Sequence, residues 1–193
     1  MKASPDVLGN NGAYDPSFLQ NAYNLENVAT SAGANATVAI VDAYDDRSAS
    51  SDLNSYRSYF GLPAVNTPGG PTFKKVNQYG GTSYPRSNSG WAQEISLDLD
   101  MVSAICPKCN ILLVEASSSS YSNLATAVNW AAKQSGVVAI SNSYGGSEWS
   151  GQSAYDSAYN HPGIAVTVSS GDNGYGVQFP RPHPLSPPWA GPR

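Results

Sequence analysis

Charge is scarce in this chain of 193 residues. Only 12% are Asp, Glu, Lys or Arg, about half the roughly 25% usual for a soluble domain. Ser, Asn, Gly and Tyr supply the polarity instead, which suits a secreted protein working where carboxylates are partly protonated. No Lys/Arg cluster or basic stripe occurs and the formal net charge is -4, so nucleic acid is not expected as a partner. No apolar run approaches the ~20 residues of a membrane span, so no membrane partner is expected either. The opening "MKASPDVLGN" lacks a hydrophobic stretch and is no signal peptide. A secreted protein would carry its signal peptide outside this sequence.

Cysteine and histidine are equally sparse, with two of each. Cys106 and Cys109 form a C-x-x-C in "AICPKCNILLVEA". A zinc site needs a second pair of ligands, and His161 and His183 show no ligand spacing, so no metal is expected here. A reactive dithiol needs the pair at a helix N-terminus, which lowers the thiol pKa. These cysteines fall instead between the end of a helix and the start of a strand. A small structural disulfide, or two quiet thiols in a turn, is the expectation.

The length suits one domain with a sizeable core, and hydrophobic residues make up 40%. Strands are expected at 36–44, 73–78, 111–116, 136–144 and 163–171, as short apolar, often β-branched runs. Helices are expected at 48–60, around Glu94, at 121–134 and at 151–160. The first has serine caps and is stopped by Gly61 and Pro63. Strands alternating with helices predict parallel βαβ units in a three-layer α/β/α domain. Continuous apolar strands fit a mostly parallel sheet covered on both faces. From Pro180 the composition changes to "PRPHPLSPPWAGPR", which holds six of the 14 prolines. Proline breaks helices and cannot donate to a sheet ladder, so 180–193 reads as a disordered or non-native tail behind a domain over 1–179.

The segment "WAQEISLDLD" carries the chemistry. Ile95, Leu99 and Val102 repeat at helical spacing, with Leu97, Met101 and Ala104 as a second apolar row. Glu94 and Asp98 stand four residues apart, one above the other on one face. On a surface such a pair only repels, and Asp100 reads as further surface charge. In a cleft the pair can share a proton, and one member becomes a working acid or base. In open parallel sheets functional residues gather at the carboxyl ends of strands. Three strand ends fit: Asp42 with Asp45 and Asp46, "ISNSYGG", and "SSGDNG".

With those segments in that order and at that spacing, the chain resembles the sedolisins, or serine-carboxyl peptidases, which share the subtilisin-like fold. The resemblance runs from about "DPSFLQNAYNL" (15–25) to Phe179, carried by "TVAIVDAYDD", "EISLD", "ISNSYGG" and "SSGDNG". It implies that Glu94 is a general base, that Asp98 orients it, and that Asp172 is the aspartic acid of the oxyanion hole. Ser143, Tyr144 and Gly145 would pair with the substrate backbone. Asp42 matches the position of the catalytic aspartate of subtilisins; sedolisins do not use it in their triad, so no catalytic role follows for it.

The resemblance further implies a secreted, monomeric serine-type endopeptidase working on peptides or proteins at acid pH. The sequence departs from the family in three places. It has no "GTS"-type segment after Asp172 to carry the nucleophile, no C-terminal calcium site and no N-terminal prosegment. The serines of "SSSSYS" (117–122) match nothing catalytic. The expectation is therefore a truncated catalytic domain, inactive alone and without a cofactor of its own, with calcium in the missing C-terminal part. The alternative is a non-catalytic peptide- or partner-binding domain of the same fold.

Overall fold

The strands of the computed structural model, which describes residues 14–176 and 178–180, coincide with the short aliphatic runs of the sequence. They are β1 (Thr37–Ala43), β2 (Phe73–Asn77), β3 (Asn110–Ala116), β4 (Val137–Asn142) and β5 (Ala165–Val168). The described residues form one five-stranded sheet in the order β2-β3-β1-β4-β5, parallel at every pairing. Alternation along the strands sends side chains to two faces. Ala39, Val41 and Ala43 join Leu112, Val114 and Ala116 under α5 (Tyr121–Ala131). Ile40 joins Ile111 and Leu113 under α3 (Ala49–Tyr59) and α4 (Ser89–Ile105). Helices on both faces give the three-layer α/β/α architecture.

Two short helices precede β1, in a stretch with no periodic pattern long enough to read as a helix. In α1 (Pro16–Ala22) the Asp15 carboxylate caps the first turn, accepting from Phe18 N at 2.7 Å, and proline stands at the first helical position, which its fixed φ favours. A single turn, α2 (Glu26–Ala29), follows. The helix expected at 151–160 is a 3-10 helix, Gln152–Tyr159. Its Ser-, Tyr- and Asp-containing sequence has little intrinsic preference for a longer α-helix.

In α4 the Asn88 side chain caps the start, accepting from Trp91 N at 3.1 Å. Ile95 and Leu99 are buried as expected, but the second row divides. Ala104 is buried, while Leu97 is 51% exposed. Gln20 of α1 donates to Ala104 O at 2.7 Å, and Leu97 lies two turns away from that contact. Asp100 is not plain surface charge: burial and the neighbouring Asp52 push it up to about 7. Ser48 precedes α3 but makes no cap bond with its side chain. Its N–H and Oγ both donate to Asp46 Oδ1, each at 2.9 Å, so the Asp46 carboxylate holds the entry to that helix.

Cys106 and Cys109 form a disulfide in the turn from α4 to β3. Gly33, at φ +93°, packs on it: a Cβ there would lie 2.5 Å from Cys106 Sγ and 2.8 Å from Cys109 Sγ. The Arg57 guanidinium, fully buried, ties α3 to the same turn. It donates to Pro63 O at 2.6 Å, Ser103 Oγ at 2.6 Å and Pro107 O at 2.9 Å. The proline-rich run after Pro180 lies outside the described residues.

Candidate functional site

The carboxyl ends of β1, β4 and β5 open to the same side as α4, as expected for a parallel sheet. The end of strand β1 delivers Asp42, and α4 delivers Glu94 and Asp98 one turn apart. The Ser143 hydroxyl, just past β4, donates to Asp98 Oδ1 at 2.8 Å. Asp98 is 9% exposed, and its Oδ2 is buried without a partner. Burial pushes its carboxyl up to about 6; the Ser143 hydrogen bond pulls the other way and the charge of Glu94 adds to the rise.

Glu94 is half-buried. Burial raises its pKa, and the charge of Asp172 raises it further. Asp172, in the exposed loop after β5, thus stands close enough to Glu94 for their charges to interact. The two helical carboxyls are linked by charge. The hydrogen bond to the Asp98 carboxylate comes from Ser143.

Asp42, for which no catalytic role follows from the sequence, stands in the middle of the group. It is fully buried, and neither carboxylate oxygen has a partner. Burial raises its pKa well above the ordinary carboxylate range, helped by the charges of Asp98, Glu94 and Glu115. An acid placed inside an apolar strand run was the signal that could have found it, and Glu115 in "ILLVEA" carries the same signal.

The segment expected to meet a substrate backbone divides its duties. The Tyr144 side chain turns inward: its hydroxyl donates to Asn142 Oδ1 at 2.8 Å and lies 3.3 Å from Tyr159 Oη. Its carbonyl accepts from Ser169 Oγ at 3.2 Å, tying the ends of β4 and β5 together. The backbone of Gly145 stays exposed. Gln178, which the sequence reading missed, lies between two glycines. A Cβ at Gly145 would meet its Oε1 at 2.6 Å, and one at Gly171 its Cδ at 2.7 Å. Phe179 then pairs with Gly146 in an antiparallel bridge of two hydrogen bonds, each 2.9 Å.

The chain superimposes on Pseudomonas sedolisin, a serine-carboxyl proteinase solved in complex with two molecules of pseudo-iodotyrostatin, with a TM-score of 0.69. The fold is sedolisin-like. Identity over the match is 22%, and the match covers 87% of this chain and 50% of that one. The chain therefore spans about half the length of the sedolisin structure. No protein-family model matches the sequence, and no curated protein matches it. Within the sedolisin-like frame, the described residues gather three buried or half-buried carboxyls with raised pKa values beside a serine hydroxyl. Such a group can hold protons at mildly acidic pH and pass them to or from a bound ligand. Among the described residues no group of three or more His, Cys, Asp or Glu is placed to hold a metal ion.

Proposed function

We propose that this chain carries the acid–base part of a serine-carboxyl endopeptidase site that cleaves peptides or proteins at acid pH. The observation that supports it most is the Glu94–Asp98 pair on α4, with Ser143 bonded to Asp98 and the charge of Asp172 felt at Glu94. A serine hydroxyl is a weak nucleophile until a base takes its proton. A carboxylate does this near its own pKa, and burial has raised that of Glu94. In the proposal Glu94 accepts the serine proton and Asp98 holds Glu94 in its working state. Asp172 donates a hydrogen bond to the oxyanion that develops on the cleaved carbonyl. Ser143, Tyr144 and Gly145 offer backbone groups to an extended substrate. Secretion and a monomeric state belong to the same proposal. The calcium implied by the resemblance has no fitting ligand group among the described residues, so no step runs through it.

No serine hydroxyl bonds Glu94 among the described residues, and no "GTS"-type segment follows Asp172 in the sequence. The nucleophile is therefore proposed to come from outside these 193 residues. That same observation favours one second reading, a peptide-binding domain without chemistry.

The test is a pH–rate profile of the full-length protein with two variants. Activity is expected to peak at acid pH. Asp98→Ala is expected to cost about 10²–10⁴ in rate and Asp172→Ala on the order of 10²–10³. The isolated chain is expected to cleave nothing at any pH. An optimum at or above neutral pH, or full activity in Asp98→Ala, would falsify the mechanism. Cleavage by the isolated chain that is lost in Ser143→Ala would move the nucleophile to Ser143.

A further inference from the structure

The buried acids do not stop at Asp98. Asp42 and Glu115 are register partners on the adjacent parallel strands β1 and β3, both are fully buried, and both face α4. Glu115 Oε1 is anchored: it accepts from Asp46 N at 3.0 Å and lies 3.5 Å from Lys75 Nζ. Its Oε2 has no partner, and neither has either oxygen of Asp42. Four carboxylate oxygens, counting Asp98 Oδ2, are thus buried without a donor. Two ionised carboxylates cannot stand side by side out of water with unpaired oxygens. One cation is bonded into the row: Lys75 Nζ reaches Asp45 Oδ1 at 2.5 Å and Asp46 O at 2.7 Å.

We propose that Asp42 and Glu115, coupled by charge across the β1–β3 register, carry one negative charge between them, balanced by Lys75, and that this pair tunes the proton affinity of Asp98. Glu115 and Lys75 are then positioning residues for the site, acting through Asp42. The inference extends the proposed function by naming what tunes its acid pair, but its tests need no peptidase activity. The electrostatics agree with the geometry. Burial lifts Glu115 up to about 8, against the pull of Asp46 N–H and Lys75, and the neighbouring Asp45 carboxylate adds to the rise by its charge and by a hydrogen bond to the protonated form. Burial works against the Lys75 ammonium, yet its bonds to Asp45 and Glu115 outweigh this and raise its pKa. The ionisable groups around Asp42 are Glu115 from β3, Glu94 and Asp98 from α4, and Tyr144 after β4. Asp45, Asp46 and Arg47 follow β1 on the Lys75 side, with Arg47 Nε 3.6 Å from Asp45 Oδ2.

The experiment is a carboxyl-carbon NMR titration of the full 13C-labelled chain, unmutated and as Glu115→Gln and Lys75→Met. In the unmutated chain, the Asp42 and Glu115 signals are expected to titrate together, in two steps with common midpoints. Glu115→Gln removes a like charge and is expected to lower the Asp42 midpoint by about one to two pH units. Lys75→Met removes the balancing cation and is expected to raise it by a similar amount. Asp98 is expected to follow in the same sense by less. A role in packing alone would not move the two variants in opposite directions. Independent single-step titration of Asp42 and Glu115 in the unmutated chain overturns the proposal, even if neither variant folds. So does an Asp42 midpoint common to all three proteins. Coupled titration in a full-length protein that cleaves no peptide would sink the peptidase reading and leave this inference standing.

Discussion

At the scale of single residues, the hydroxyl of Ser143 limits how far burial raises Asp98. Its hydrogen bond at 2.8 Å favours the ionised form, so it holds the Asp98 pKa below what burial alone would give. Ser143→Ala is therefore expected to raise the Asp98 midpoint above about 6, which a carboxyl-carbon titration measures directly. An unchanged midpoint would mean that water takes over the hydroxyl's place at no cost. The donor also explains why Asp98 and not Glu94 is the more buried member: Asp98 has a partner that repays part of its desolvation, and Glu94 relies on access to solvent.

At the scale of elements, α4 is fixed at both ends. Asn88 caps its start, and the Cys106–Cys109 turn, Arg57 and Gly33 hold its end. Gly33→Ala is expected to be among the more damaging single changes, by about 2–4 kcal/mol. It combines a strained positive φ with overlap against both sulfurs. A denaturant melt of the variant checks this, and a cost below ~1 kcal/mol would show that the turn yields. Much of this level was legible in the sequence. Each expected strand exists within one or two residues at its start, because apolar β-branched runs bounded by Gly and Pro have few other uses. The helix carrying Glu94 and Asp98 was set by its apolar spacing. What escaped reading depended on tertiary neighbours. The exposure of Leu97 reflects where α1 crosses, and the burial of Asp100 depends on a packed neighbour. The partners of Asp42 and Glu115 depend on strand order, which puts β3 beside β1 although a strand and two helices intervene in the chain.

At the scale of the whole molecule, the raised carboxyls make stability depend on pH in an unusual direction. Asp98, Asp100 and Glu115 bind protons more tightly folded, near about 6, 7 and 8, than unfolded, near their ordinary values. Where the folded state binds more protons, stability falls as pH rises. The chain is expected to be most stable near pH 4 and to lose stability progressively up to pH 8. Asp98 alone would contribute about 3 kcal/mol to that loss on the usual conversion. Urea melts at pH 4, 6 and 8 test this, and a midpoint that rises with pH would show the carboxyls to be ionised and paired in the fold. The bridge between Gly146 and Phe179 holds the last of the described residues against the strand ends. It anchors Phe179 beside Gly146, next to the strand end that carries Ser143–Gly145, so a fluorophore or spin label placed at Pro180 starts beside that segment. Such a probe would report ligand arrival there from outside the catalytic machinery, with no acidic side chain altered.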